Sequence, residues 1–297
     1  MEYEVIIIGS GPAGLTAAIY AARYKLKTLV LGQLHGGIAS EAWEICNFPT
    51  YGRVKGFELM MKMIKQVESL GVEIKNEEVL DINDKNIVKT NKKEYSAKKI
   101  IIATGTERKR LGVDKEKEFL GKGISYCATC DGGFFKDKIA GVVGGSDAAL
   151  TAALLLSRFA KKVYIFYRKD KFYRAEPSWI EEVEKEKKIE PIFNVNVEKL
   201  IGKEKLEKIK LDNGEEINID GLFIEIGSTP NSSLGDKLGL DKTEEGYILT
   251  DERMRTNKKN IFACGDVRKS PIKQIITACS DGAIAANCAY EEIQKDE

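Results

Sequence analysis

Apolar residues in this chain fall in short runs of two kinds. Residues 3–9, Tyr-Glu-Val-Ile-Ile-Ile-Gly, are nearly unbroken and β-rich, the pattern of a strand buried on both faces of a sheet. Gly9-Ser10-Gly11-Pro12-Ala13-Gly14 follows at once, then an Ala-rich stretch from Leu15 to Lys25 that predicts a helix, then a second strand at Thr28–Leu31. The order is strand, G-x-G-x-x-G, helix, strand. In such a turn the first glycine permits the bend and the second lets backbone approach a pyrophosphate. The third lets the helix pack close, with its N-terminus facing the phosphates.

A related pattern starts 135 residues later, with a strand at Lys138–Val143, the turn Gly144-Gly145-Ser146-Asp147-Ala148-Ala149, a helix at Leu150–Ala160 and a strand at Val163–Tyr167. Each half closes on a similar strand and turn: Ile100-Ile101-Ile102-Ala103-Thr104-Gly105, then Leu222-Phe223-Ile224-Glu225-Ile226-Gly227. Two such units predict an α/β fold of two Rossmann-like dinucleotide-binding domains of the three-layer β/β/α type. Ser178-Trp179-Ile180-Glu181 reads as a capping box opening a charged helix through Lys188, and Asp212-Asn213-Gly214 as a hairpin turn. A late strand and turn, Asn260-Ile261-Phe262-Ala263-Cys264-Gly265-Asp266, precede a helix from about Lys273 to Tyr290. If this tail completes the first domain, the second is an insertion: 1–113 and 243–297 form one domain, 114–242 the other. Short polar stretches near Gly112–Lys117 and Leu238–Glu245 are the expected junctions.

Charge narrows the function. Lys and Arg number 47 against 46 Asp and Glu, a net charge of +1, which argues against a nucleic-acid-binding protein. Hydrophobic residues are 43 % and charged residues 31 %, enough apolar material for a core, so dominant disorder is excluded. No apolar run reaches the roughly 18–20 residues of a membrane span. Met1-Glu2-Tyr3-Glu4 leads into the first strand with no basic segment or cleavage site, and a cytoplasmic protein is expected.

The six cysteines are too few for a disulfide scaffold, and only Cys127 and Cys130 are close, as C-x-x-C. That spacing lets both thiols reach one disulfide, while the competing reading is half of a zinc site. A structural zinc needs four ligands, and no second C-x-x-C or His pair exists, so no metal is expected. With His35 the single histidine, Ser-His or Cys-His catalysis is disfavoured and the chemistry falls to cysteine or a cofactor. Cys46, Cys264, Cys279 and Cys288 read as packing residues.

Gly9–Gly14, Ala103-Thr104-Gly105, Cys127-Ala128-Thr129-Cys130-Asp131-Gly132 and Ala263-Cys264-Gly265-Asp266 stand in the order that resembles the low-molecular-weight thioredoxin reductases, over nearly the whole chain. The resemblance implies FAD in the first unit, a redox disulfide in the inserted one, thioredoxin as substrate and a homodimer. It implies FAD contacts at Gly9, Ser10, Gly11, Pro12, Ala13, Gly14, Gln33, Gly36, Gly37, Ile38, Asn47, Thr104, Gly105, Gly265, Asp266, Lys273, Gln274 and Ile275. Ile38 stands where family members often have Gln, and Lys273 where Arg is common. Gln33 closes the second strand where the ordinary Rossmann rule expects a carboxylate, so the resemblance and not the bare motif decides for FAD. It also assigns Cys130 to the flavin side, Cys127 to attack on thioredoxin, and Asp131 to general acid–base work. The family rotates one domain against the other between these steps, which makes the two junctions candidate hinges.

The second glycine turn departs from NADPH-dependent members. Ser146 puts a Cβ where backbone should approach a pyrophosphate. Relatives hold the 2′-phosphate with His-Arg-Arg and a later Arg, whereas this chain reads Tyr167-Arg168-Lys169-Asp170-Lys171-Phe172-Tyr173-Arg174. Arg and Lys are not equivalent where a planar fork grips phosphate. The departures resemble the ferredoxin-dependent flavin thioredoxin reductases, with reduced ferredoxin as donor. The alternatives are NADPH at an atypical site, or a ferredoxin–NADP or NAD(P)H oxidase on the same fold. A ferredoxin at about −400 mV reducing thioredoxin at about −270 mV runs downhill by about 6 kcal/mol for two electrons.

Overall fold

The computed structural model describes residues 2–296. The chain divides into two compact units, one of residues up to Ser40, Ile45–Glu107 and residues from Thr229 onward, the other of Glu41–Glu44 and Arg108–Ser228.

The first unit is built on a seven-stranded sheet in the order Glu73–Lys75, Thr28–Leu31, Glu2–Ile8, Glu94–Ile102, Ile87–Thr90, Val79–Ile82, with Ile261–Ala263 also paired to Glu94–Ile102. Ile6 lies beside Leu29 on one side and Ile100 on the other, all parallel. The first strand is apolar without alternation because both its faces are covered. Val5 and Ile7 pack in a cluster with Leu15, Ala17 and Ala285 from helices Pro12–Arg23 and Ile275–Asp296. Ile6 and Ile8 pack in the opposite cluster with Ile102, Leu234, Leu238 and Ile248. The C-terminal helix is tied to the sheet by a buried cation: Lys99, 1 % exposed, donates from Nζ to Asn260 at 2.7 Å, Glu292 at 3.0 Å and Asp296 at 3.1 Å.

The second unit repeats the theme with a five-stranded parallel sheet in the order Ile189–Phe193, Lys162–Tyr167, Ile139–Val143, Gly221–Ile224, Ile124–Ser125. Beside it lies an antiparallel sheet of Val197–Ile201, Lys208–Leu211 and Glu216–Asn218, so the turn expected at 212–214 joins two paired strands. The expected capping box is absent. Helix Pro177–Lys185 has Glu176 at its N-cap and Pro177 in its first turn, and no side chain caps it. Proline's fixed φ suits the first helical position, which draws the start upstream and leaves Ser178 inside.

The limits of 113 and 242 expected from the sequence sit beyond the divisions at 107/108 and 228/229. Two features account for the earlier positions. Strands Thr106–Arg108 and Ser228–Pro230 pair with each other, and Leu234, Leu238 and Leu240 are buried in the first unit's core. The stretch around Gly112 is pinned within the second unit, where buried Glu116 accepts from the N–H of Leu111 at 2.8 Å and of Gly112 at 2.7 Å. Tyr126 OH also donates to Glu116. Among the described residues no helix is long and apolar enough to cross a membrane.

Candidate functional site

The first glycine turn is closed by backbone. Gly9 N donates to Leu31 O and Ala103 N to Ile8 O, each at 2.7 Å, which fixes the turn at the carboxyl ends of three parallel strands. Gly9 has φ +116°, and a Cβ there would stand 2.1 Å from Ala103 O. A Cβ on Gly14 would stand 1.9 Å from Gly9 O, so the helix meets the strand at bare backbone. Helix Pro12–Arg23 starts from Gly11 with Pro12 in its first turn, no side-chain cap and no acidic residue in that turn. Its positive end is thus left for an anion. Buried Ser10 donates through Oγ to Leu34 O at 3.0 Å, and Gly36 N donates to Ser10 O at 2.8 Å, folding the Gly36–Gly37 loop against the turn. An uncapped helix end beside bare backbone fits the pyrophosphate of FAD.

The remaining residues implied for FAD gather in the same unit. Asn47 Nδ2 donates to Gln274 Oε1 at 3.1 Å, joining two segments far apart in sequence. Lys273 lies over the ring of Tyr247 at 3.8 Å and donates to Asp266 O at 3.0 Å. Burial pushes the Lys273 ammonium down and the Asp266 carboxyl up, each partly opposed by the other's charge. Thr104 Oγ1 donates to Asn231 O at 2.6 Å, holding the Thr104–Gly105 turn. Ile38 opens a short 3-10 helix, Ile38–Glu41. Gln33 is exposed and reaches Glu78 Oε2 at 3.4 Å, so a carboxylate from another strand end stands near the place where position 33 lacks one. Asp281, 7 % exposed, was not singled out from sequence. It accepts from Gly265 N at 3.1 Å and from Arg268 Nε at 2.7 Å, bracing the Gly265–Asp266 turn. Its only signal is a lone carboxylate in a small-residue run, Ala278-Cys279-Ser280-Asp281-Gly282-Ala283.

In the second unit Cys127 and Cys130 are disulfide-bonded, with Cα atoms 5.3 Å apart. Helix Ala128–Asp131 starts at Cys127, whose Sγ accepts from Cys130 N at 3.1 Å. Cys130 is exposed and Cys127 half-buried. Asp131 N donates to Cys127 O at 3.1 Å, and Ser125 Oγ donates to Asp131 Oδ2 at 2.7 Å. A disulfide followed directly in the chain by a carboxylate held by Ser125 can take up an electron pair as two thiols and move their protons. Cys264 and Cys288 are buried, and burial pushes their thiols up, which suits packing rather than reaction. His35 is exposed. Among the described residues no group of His, Cys, Asp and Glu could hold a metal ion.

The second glycine turn is built but occupied from within. A Cβ on Gly145 would lie 2.5 Å from the ring of Tyr167, so the bare face of this glycine is already covered. Tyr167 is buried and stacks on Phe172 at 5.8 Å, and Phe172 meets Phe193 edge-on at 5.0 Å. Ser146 forms a backbone bridge with Arg174, and Asp147 Oδ1 accepts from Glu176 N at 2.6 Å. Arg168, Lys169, Lys171 and Arg174 are exposed, and Lys169 and Lys171 both lie over the ring of Tyr173, at 5.1 and 5.2 Å.

Residues 3–282 match the family described as pyridine nucleotide-disulphide oxidoreductase. A thioredoxin reductase of Listeria innocua is 41% identical over 303 residues, covering 99% of this chain and 94% of the relative. The crystal structure of Lactococcus lactis thioredoxin reductase is similar with a TM-score of 0.94 at 40% identity, covering 99% of each chain. A ferredoxin-flavin thioredoxin reductase of Clostridium acetobutylicum is similar at 34% identity with a TM-score of 0.55, covering 100% of this chain and 99% of that one. The nearness to the ferredoxin-dependent branch expected from the sequence is therefore not what these similarities give: the more similar proteins are named thioredoxin reductases without a donor.

Proposed function

This chain belongs to the pyridine nucleotide-disulphide oxidoreductase family, as an FAD-dependent thioredoxin reductase, and from that premise we propose that reduced ferredoxin is its electron donor. The observation that carries the choice is Ser146, which stands at the second-glycine position of the turn Gly144–Ala149, the place of Gly11 in the first turn. In a dinucleotide site the second glycine is bare so that a pyrophosphate can approach. Here that position carries the Ser146 side chain, and the bare face of the preceding Gly145 is covered by the ring of Tyr167.

FAD, when bound, supplies the electron transfer that side chains lack, between a one-electron donor and a two-electron disulfide. The chain's own residues do the rest. The turn Gly9–Gly14 and the helix behind it would hold the pyrophosphate, and Asn47, Gln274 and Ile275 would border the ring system. Two electrons and two protons open Cys127–Cys130 to a dithiol. The Cys127 thiolate attacks the thioredoxin disulfide, forming a mixed disulfide and expelling one thioredoxin thiolate, which takes a proton. The Cys130 thiolate then attacks Cys127 Sγ, re-forming the enzyme disulfide and expelling the second thiolate, which takes the other proton. Asp131 carries the protons. The enzyme works as a homodimer on the same resemblance.

NADPH is the second reading, favoured by the four exposed cations that follow strand Lys162–Tyr167, where a 2′-phosphate would bind. One experiment separates the two. Oxidised holoenzyme is mixed anaerobically with reduced ferredoxin or with NADPH, and flavin absorbance and titratable thiols are followed. Ferredoxin should bleach the flavin and expose two thiols per chain, with NADPH inert. Rapid bleaching by NADPH alone would sink the ferredoxin assignment.

A further inference from the structure

Ser125 sits at the carboxyl end of the edge strand Ile124–Ser125, 3 % exposed, the end at which open parallel sheets present functional groups. Its strand neighbour is Phe223, so the main chain at this position is fixed by the sheet. A hydroxyl has one hydrogen to give and can accept as well. Cys127 N donates to Ser125 Oγ at 3.0 Å. The hydroxyl hydrogen faces two acceptors, Asp131 Oδ2 at 2.7 Å and Cys127 O at 3.3 Å. The carboxylate is nearer and charged, and it takes the hydrogen. One side chain thus links the backbone of the first cysteine to the carboxylate that follows the second.

The closed disulfide restrains the same loop covalently, but that restraint is lost when the pair is reduced. Two other contacts join the ends of the loop, Cys130 N to Cys127 Sγ and Asp131 N to Cys127 O. Both act through the Cys130 and Asp131 main chain, leaving the Asp131 carboxylate free to swing about its own side-chain torsions. Among the described hydrogen bonds Ser125 is what fixes that carboxylate.

We infer that Ser125 is a positioning residue for thioredoxin reduction, its hydroxyl holding the Asp131 carboxyl at the cysteine pair while the disulfide is open. With Oδ2 held by Ser125, Oδ1 is the oxygen that carries the proton. Asp131 takes the proton of Cys127 as its thiolate attacks, and gives it to the first expelled thioredoxin thiolate. It then takes the proton of Cys130 and gives it to the second. Two electrons and two protons leave the enzyme, and Asp131 ends as it began. Ser125 keeps its own hydrogen throughout and touches no reacting atom. The inference rests on the proposed role of Asp131.

The test removes the unidentified donor from the assay. Holoenzymes carrying Ser125→Ala, Ser125→Thr, Asp131→Asn and the double change Ser125→Ala/Asp131→Asn are reduced stoichiometrically with dithionite. They are then mixed with oxidised thioredoxin in single turnovers. The limiting rate and the half-saturating thioredoxin concentration are read separately. Ser125→Ala should lower the limiting rate about tenfold to a hundredfold, the scale of a misplaced catalytic group, with half-saturation unchanged. Ser125→Thr, which keeps the hydroxyl, should recover most of the rate. In the Asp131→Asn background, Ser125→Ala should cost nothing further. If Asp131→Asn is slow and Ser125→Ala lowers the rate by the same factor in both backgrounds, the positioning role is overturned while the role of Asp131 stands. A fully active Asp131→Asn enzyme overturns both. Should Ser125→Ala fail to fold, the Thr variant still decides: a loss there equal to Asp131→Asn, in a folded enzyme, contradicts a role carried by the hydroxyl.

Discussion

The ring of Tyr167 stands 2.5 Å from where a Cβ on Gly145 would be, so tyrosine and glycine at these two positions are complementary in shape. The strand that ends at Tyr167 is followed directly by the exposed cations Arg168 and Lys169. A nucleotide donor would need bare backbone at the turn and a planar fork for the 2′-phosphate. Replacing Ser146→Gly, Tyr167→His and Lys169→Arg together supplies both. NADPH-driven thioredoxin reduction should rise at least about tenfold, the worth of one charge-assisted fork. Steady-state rates with NADPH as sole reductant check this, and an unchanged rate in the triple variant would show that these positions do not set donor choice.

Glu225 gives the second unit a pH-dependent stability. Its side chain is 12% exposed and accepts from Arg108 at 3.0 Å, while Arg108 also reaches Glu41 at 2.6 Å. Burial pushes the carboxyl from 4.5 up to about 7, against the opposing pull of Arg108. Between those values the folded chain holds a proton that the unfolded chain has released, so raising the pH favours unfolding. The effect is complete once the pH passes about 7 and amounts to about 3 kcal/mol. Glu225→Gln cannot ionise and should lack this slope. Urea unfolding of both proteins from pH 4.5 to 8 should therefore show the wild type losing stability relative to the variant as pH rises. Parallel profiles would place the titration elsewhere.

What could be read from the chain alone was whatever the backbone itself demands. The run at residues 3–9 announces a strand covered on both faces, and Val5 and Ile6 do lie in opposite cores. Gly9 and Gly14 are legible because nothing larger fits. Side-chain partnerships across long sequence distances left no such trace. Lys99 meets Glu292, and Gly265 meets Asp281, only because the sheet brings the C-terminal helix home. Ser178 misled for a local reason, since the capping pattern was matched while Pro177, one residue earlier, held the stronger preference for the first turn. Ser125 carried no signal at all, being an ordinary strand-end serine until Asp131 is folded back onto it.

Asp281 offers a test of the cofactor site that leaves the glycine turn untouched. Its Oδ2 accepts from Gly265 N and Arg268 Nε, and its Oδ1 accepts from a terminal Arg268 nitrogen at 3.0 Å. The carboxylate therefore holds both ends of the short 3-10 helix Gly265–Val267, which includes Asp266. An amide in its place keeps the shape but loses the charge and can accept through one atom only, leaving without a partner either the terminal Arg268 nitrogen or both Gly265 N and Arg268 Nε. The loss of a charge-assisted contact at a buried site is worth about 1.5–3 kcal/mol, or about tenfold to a hundredfold in affinity. Asp281→Asn should therefore lose FAD on dialysis that leaves the wild type loaded, and rebind it more weakly in a fluorescence titration. The second unit does not depend on this contact, so the Cys127–Cys130 disulfide should still form, giving two additional titratable thiols on reduction of the unfolded variant. Full retention of FAD by Asp281→Asn would mean that the Gly265–Asp266 turn is held by the strand before it rather than by the helix behind it.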